Sequence, residues 1–472
     1  MKRPRRKTEH GVALLMVVAA IAILTAVAVD FSYHSRVEAR LATNARDELR
    51  AYYLARSAVQ ISRLVLHFQR QVDQVQIPNL SGILGGLGGS TAMGNVAVAT
   101  GQTSASTTQV AAGTPKSSSL HLRLWDIIPV DSGTLQLFMG APPAADLAAA
   151  ASLGDGGLNL PKLRSVPGLG PKAAGGSSSR LESPARPFGD FDGTFHSDVT
   201  DEESKINVNA LNQLSTQAAA TATEMLALMH WRDQKYDFLF DDNADSDPLH
   251  HQVPREDLLS NLHDWIDTDT NTTAFNPLQM AIFSDPFVAG YGDEDEFYQR
   301  QEPRYHAKNA PLDTIDELYL VHGINDRFMK AFGSRLTVYS SPNALLNVNT
   351  NDSQQQLTNI LVALDTNRFP EAPLQLMGNP LLLQTILSEL QMLRSFAFIG
   401  ISVQSFVAVL AANQLPVRPE LTVANSPHAF LGDTSQTFKI EASGEVGDVQ
   451  SRITAVIRYD DNLGKLLYWK EE

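Results

Sequence analysis

The stretch DWIDTDTN sets three oxygen-bearing side chains on alternate residues, Asp267, Asp269 and Asn271. A calcium loop of the EF-hand type begins with this spacing. A complete loop from Asp267 needs Gly at its sixth position and a bidentate Glu at its twelfth, and this chain has Thr272 and Leu278 there. The run DDNADSD over 241–247 fails at the same two places, with Ser246 and Gln252. Neither is an EF-hand, and an acidic turn taken alone is most often a solvated loop or a helix cap. A second cluster, Asp293, Glu294, Asp295 and Glu296, changes the balance. Ca²⁺ takes about six to eight oxygens, more than one irregular turn supplies. Two acidic turns packed face to face repel unless a cation sits between them.

Other chemistries find little support. The chain has no cysteine, so disulfides, thiolate metal sites and cysteine nucleophiles are excluded. Its 12 histidines include His250, His251 and His263 near acidic residues, but none falls in an HExxH spacing. No GxSxG or P-loop occurs, and no carboxylate pair stands out as a glycosidase acid and base. The expectation is a non-catalytic protein. A formal net charge of −15 over 472 residues argues against nucleic acid, which requires a basic face. The segment DELYLVHGINDRFMKAF has the apolar flanks and Gly turn of one DNA-binding hairpin, but acidity makes it a packing element.

The elements that position these residues begin at the N-terminus. Lys2, Arg3, Arg5, Arg6 and Lys7 precede GVALLMVVAAIAILTAVAV, Gly11 to Val29, which holds no charge. Nineteen such residues in a helix reach roughly 28 Å, close to one hydrocarbon core. The positive-inside rule keeps the leader cytoplasmic and exports the rest. Cleavage after Ala28, at the small-x-small motif Ala26–Ala28, would leave a soluble protein starting at Val29. Cleavage after Gly11 would leave Val12 first and retain the apolar run, with Met16 and Val29 inside it, as an anchor. A short basic leader ending in Gly before such a run resembles the class III signal of type IV pilins and pseudopilins.

No Pro or Gly occurs between Val12 and Ile77, and strong helix formers follow the anchor. Leu54, Ala58, Ile61, Val65, Phe68 and Val72 form one apolar stripe at steps of four and three. This predicts a single helix of about 60 residues, roughly 90 Å long. The portion before Leu54, where Val37, Leu41 and Ala45 step by four, extends beyond what a small sheet can cover and is expected to pack on helices of other subunits. Loose Gly-, Ser- and Ala-rich sequence occupies 81–119 and 141–187. LHLRLWDIIPV and TLQLFMG are expected as short strands. Helical patterns dominate from Gln213 to Phe332 and from Pro380 to Asn413, with strand, turn and strand in SRLTVYSSPNALLNVNTN. The period-two run at the C-terminus predicts a meander pairing Phe438, Ile440 and Ala442 with Ile453, Ala455 and Ile457, and a last strand after Asn462–Gly464.

The order of leader, Gly11, anchor, DEESKINVNAL, DWIDTDTN, GYGDEDEFYQRQEPRYHAKNAPLDTIDELYLVHGI, LTVYSSPNALLNVNT and ASGEVGD resembles the type II secretion minor pseudopilin K family. The resemblance covers most of 11–77, 195–350 and 437–470. It implies an α+β fold with a long N-terminal transmembrane helix, a pilin-like antiparallel sheet and an inserted, mostly helical domain. The implied organisation is a prepilin leader over 1–11, anchor and long helix over 12–77, and pilin-domain strands with low-complexity insertions over 78–194. The inserted helical domain with the calcium site would occupy 195–335, and a second helical part with the final sheet 336–472.

The resemblance also implies a structural Ca²⁺ ion on Asp267 and Asp269 with Glu294 and Asp295, and Asn271 and Asp293 as further candidates. Met16 stands at the fifth position after Gly11, where ordinary pilins carry Glu. The family shares that departure and is associated with the pseudopilus tip. The partners implied are other minor pseudopilins, the inner-membrane secretion machinery and prepilin peptidase, with the bulk of the chain periplasmic. Two other functions compete: a calcium-binding periplasmic or surface protein (hydrolase or adhesin) with an ordinary signal peptide, and a tip subunit of a related type IV pilus.

Overall fold

From Val12 onward no Pro or Gly gives the helix an internal reason to stop, and it runs unbroken over 65 residues, α1 (His10–Gln74), or about 98 Å at the usual rise. The computed structural model describes residues 10–74, 121–139, 193–230, 236–240, 252–282, 284–341, 344–394, 399–422, 429–460 and 464–472. The basic leader, the loose stretches 81–119 and 141–187, the run 241–247, His250 and His251 lie outside them.

After α1 the chain forms β1 (Val130–Asp131), β2 (Thr194–Asp201), α2 (Ser215–Met229) and α3 (Arg255–Ile266). A hairpin, β3 (Asn271–Phe275) with β4 (Phe287–Asp293), comes next. Then follow α4 (Ser353–Ala363), α5 (Pro380–Leu393), α6 (Val403–Ala412), β5 (Thr437–Val446), β6 (Val449–Arg458) and β7 (Lys465–Glu471). The main sheet is antiparallel throughout, in the order β7-β6-β5-β2-β1. Phe438, Ile440 and Ala442 pair with Ile457, Ala455 and Ile453, the register expected from the alternation. The fold is thus α+β, with a long apolar N-terminal helix and an antiparallel sheet.

The C-terminal half of α1 lies across this sheet. Ala51, Leu54, Ala55, Ala58, Val59, Val65 and Leu66 are buried against Phe195, Phe438, Ile440, Ala442, Ile453 and Ala455. Each large side chain buried this way contributes roughly 1.5–3 kcal/mol. The small residues on that face let the helix come very close. A Cβ on Gly444 would stand 2.1 Å from the Ala51 carbonyl oxygen and 2.7 Å from the Ala55 nitrogen. Only glycine fits that strand position. Phe68, placed in the buried stripe by its spacing, is 49% exposed, and Leu66 and Gln69 take the buried positions on that turn.

Several short elements differ from expectation. TLQLFM is helical, within Ser132–Met139, because Asp131 Oδ1 accepts the Thr134 N–H at 2.6 Å and turns the chain at that start. Thr194–Asp201, expected to open the inserted domain from 195, is a strand of the main sheet between β5 and β1, so the insertion starts after Asp201. The strands Leu336–Thr337 and Leu346–Asn347 do not pair with each other. Their partners are Ile206–Asn207 and Leu431–Gly432, both parallel. A clasp of buried polar side chains joins the sheet to the insertion. Asp201 accepts from Ser435 Oγ at 2.7 Å and Asn347 Nδ2 at 2.9 Å, and Glu203 accepts from the Gln436 N–H and Thr437 Oγ1. Burial and the neighbouring Asp201 push the Glu203 carboxyl up to about 7.

Candidate metal centre and the exposed half of the long helix

The two acidic turns are brought together by the β3–β4 hairpin. DWIDTD ends α3 and leads into β3, while DEDE follows β4, and the antiparallel pairing of Asn271 with Asp293 sets both turns at one end of the hairpin. The approach is tight. A Cβ on Gly292 would lie 2.7 Å from Thr272 Oγ1, which instead accepts the Gly292 N–H at 3.1 Å.

Asp267, Asp269 and Glu294 each offer a carboxylate oxygen, all within 4.8 Å of one another. Asp267 and Glu294 are both 6% exposed, and Asp269 is exposed. Three of their buried oxygens, Asp267 Oδ1 and Glu294 Oε1 and Oε2, have no hydrogen-bond donor among the described residues. Acceptors left bare in this way are costly, and a cation held there would satisfy all three. Burial first, then the neighbouring Asp267, Asp264, Asp269 and Asp295, pushes the Glu294 carboxyl up to about 8. Burial likewise raises Asp267 to about 6, with His263 opposing and Asp269 and Asp264 reinforcing.

Of the remaining candidates, Asn271 turns to its own neighbour, with its N–H and Nδ2 on Asp269 Oδ1 at 2.7 and 3.3 Å. Asp293 Oδ1 accepts the Asp295 N–H at 3.0 Å. Asp295 is engaged by His306 Nδ1 at 2.6 Å and by the Ala307 N–H at 2.8 Å. Burial acts to raise its carboxyl, and these two contacts outweigh burial and hold it below its ordinary value.

Two residues that the spacing did not single out stand beside the cluster. Asp264 accepts from the Thr273 N–H and hydroxyl at 3.0 and 2.5 Å. His263 Nδ1 lies 3.3 Å from Asp267 Oδ2, its ring stacked on Phe287 at 4.0 Å. Their signal is helical: 263, 264 and 267 share a face at steps of three and four. The oxygen-rich set suits a hard cation.

The other candidate surface is the N-terminal half of α1. Its most apolar stretch has mean hydropathy 2.6, none of it buried within the chain, and it is long enough to cross a membrane. Met16, Val29 and Leu41 are 67%, 64% and 62% exposed. Ala45 is exposed and Val37 half-buried, whereas Leu54 and Val65 are buried on the sheet and Ile61 packs at its edge. The side chains of Gly11 and Val12 lie outside the described set.

Residues 276–341, which include β4 and the second acidic turn, match the family model described as type II secretion system (T2SS), protein K. The chain is 30% identical over 175 residues to the type II secretion system protein K of Klebsiella pneumoniae, covering 37% of this chain and 44% of that one. It is 24% identical over 206 residues to the Aeromonas hydrophila protein K, covering 43% and 51%. The chain thus spans about half the length of the curated relatives it matches. The crystal structure of the GspK-GspI-GspJ complex from the enterotoxigenic Escherichia coli type 2 secretion system matches with a TM-score of 0.38 and 17% identity, over 61% of this chain and 84% of that one.

Proposed function

We propose, taking the chain's likeness to the type II secretion protein K family as the premise, that it is a minor pseudopilin. It would be anchored once in the inner membrane with its bulk in the periplasm, and would promote pseudopilus assembly from the tip for export of folded proteins. The observation that carries this reading is the division of α1. One helix buries its C-terminal half on its own sheet and leaves its N-terminal half, apolar as far as Val29 and mixed beyond it, uncovered. An anchor accounts for the first part of that surface. Helices of other minor pseudopilins account for the part around Val37, Leu41 and Ala45. The pairing of a protein K with two other subunits in the E. coli complex supports the same kind of partner here.

Met16 supports the tip position. A carboxylate within the bilayer is costly unless paired, and a subunit with none above it has no amine to receive. We read the protein as non-catalytic, and the metal centre as a structural Ca²⁺ site held by Asp267, Asp269 and Glu294 that clamps the β3–β4 hairpin to the end of α3. The ion would supply positive charge to carboxylates that otherwise repel.

Processing tests the assignment. The intact mass of membrane-extracted protein is expected to start at Val12, N-methylated, and Gly11→Lys is expected to block the cut by prepilin peptidase. A soluble mature form starting at Val29 would overturn the reading in favour of an ordinary secreted calcium-binding protein.

A further inference from the structure

The apolar end of α1 carries an open groove on one face, and the groove runs from Ile21 up to Arg36. Ile21, Leu24, Ala28 and Val29 line its lower end with hydrocarbon. The Thr25 hydroxyl there is turned back on the Ile21 carbonyl oxygen at 2.7 Å, so it adds no free donor to the space. Ser32, Tyr33 and Arg36 line the upper end. At about 1.5 Å per residue the Arg36 Cα stands roughly 10 Å beyond Val29, where the apolar run ends. Helix side chains lean toward the N-terminus, so its guanidinium reaches back about one turn, to the level of Ser32 and Tyr33. That is headgroup depth, since the polar layer extends about 5–8 Å beyond the hydrocarbon.

Charge is sorted by face on this part of the helix. Arg46 and Arg50 share Asp47 at 3.2 and 3.9 Å, and His34 lies 3.4 Å from Asp30. Arg36 and Arg40 are exposed and have no Asp or Glu three or four residues to either side, so neither can pair along the helix. At about 100° per residue, Arg40 sits about 40° round from Arg36, while Val37, Leu41 and Ala45 sit about 100–180° away. Glu38 and Glu48 fall on the side of that apolar stripe. The two arginines therefore mark the face opposite the expected assembly contact. Leu54, about five turns further on and buried on the sheet, shares their face.

We infer that this face of α1 holds one anionic phospholipid of the periplasmic leaflet, with its phosphate on Arg36 and Arg40 and an acyl chain in the groove below. The inference rests on the anchored topology proposed above, which sets Val29 at the periplasmic boundary. Charge complementarity selects the occupant. Two guanidiniums without a carboxylate, at headgroup depth and directly above an apolar groove, match a phosphate joined to a hydrocarbon chain. Tyr33, 65% exposed at the same level, has the amphipathic ring that favours the membrane–water boundary. A zwitterionic lipid offers the same chain, but its own ammonium offsets its phosphate. A lipid held there fixes the rotation of α1 about its axis and turns the stripe of Val37, Leu41 and Ala45 toward neighbouring subunits.

The test is native mass spectrometry of the full chain released from nanodiscs of phosphatidylglycerol and phosphatidylcholine in equal amounts. One phosphatidylglycerol should stay on each chain, preferred about thirtyfold, at roughly fivefold for each arginine. Arg36→Gln is expected to leave a preference of about fivefold, and Arg36→Gln with Arg40→Gln to leave none. Arg50→Gln, which removes a charge higher on the helix, should change nothing. Ala28→Trp fills the groove and should lower occupancy with the charge preference intact. An anchored chain that retains both lipids alike, or an unchanged preference in the double variant, would overturn the inference and leave the anchor standing. So would a double variant that keeps its lipid and loses its partner subunits, since this face would then be the contact for a carboxylate-bearing helix. A soluble chain starting at Val29 would overturn the anchor and this inference together.

Discussion

Removing divalent cation should destabilise the inserted domain by an amount that grows with pH. Calcium sites of extracellular modules have dissociation constants on the order of 10⁻⁴–10⁻³ M. At about 10 mM Ca²⁺ a site bound only by the native state stabilises it by about 1.4–2.7 kcal/mol. In a chain of this size that is a rise in Tm of about 1–3 °C. The structure sets the pH dependence. Without the ion, Glu294 titrates near 8 and Asp267 near 6, both above their unfolded values of about 4. Groups raised in this way contribute stability that is complete below the unfolded value and lost as pH rises through the folded one. The chelated protein should therefore weaken between about pH 4 and pH 8. The calcium-bound protein, its ligands held ionised by the cation, should not weaken over that interval. Differential scanning calorimetry of the full chain in detergent, with chelator or with Ca²⁺ at several pH values, measures both. Asp267→Ala with Glu294→Ala should remove the calcium shift and flatten the pH profile. A full calcium shift in that double variant, or an unchanged Tm in chelator at pH 8, would refute the site.

Two packing predictions follow from the sheet and the clasp. Gly444→Val sets a Cβ 2.1 Å from the Ala51 carbonyl oxygen; neither backbone can yield, so α1 must lift from β5 at a cost of about 1–3 kcal/mol, read as a lower Tm while the calcium shift is retained. Asn347→Ala removes the donor to Asp201 Oδ2 and the acceptor of the Asn349 N–H at 2.9 Å, and chemical denaturation should show a loss of about 1–3 kcal/mol.

Helix and main sheet were legible in the sequence because their signals are local and long. Sixty-odd residues without Pro or Gly leave little alternative to a helix, and ten-residue strands alternating in period two fix their own register. Short apolar runs carry no such signal. TLQLFMG alternates well enough to suggest a strand, and the aspartate that caps it as a helix, Asp131, lies just outside the run. The acidic cluster was legible in its composition but not in its membership. Asp267, Asp269 and Glu294 meet only because β3 and β4 pair, and that hairpin sits within a region whose pattern is mostly helical. Once paired, the same geometry turns Asp295 toward His306 and brings Asp264 and His263 into the neighbourhood. The clasp at Asp201–Glu203 was invisible for a simpler reason: Asn347 and Ser435 lie 146 and 234 residues away in sequence, and nothing local announces such partners.

If the uncovered half of α1 is an assembly surface, a charge at Leu41 should abolish assembly. The side chain is 62% exposed and touches no core, so Leu41→Asp costs the isolated chain little. The measurement is co-purification of the membrane-extracted chain with minor pseudopilins of its host. The wild-type chain is expected to bring them down and Leu41→Asp is not, while the variant still inserts in the membrane and keeps its calcium-dependent melt. Normal complex formation by Leu41→Asp would contradict it and move the assembly contact onto the globular part.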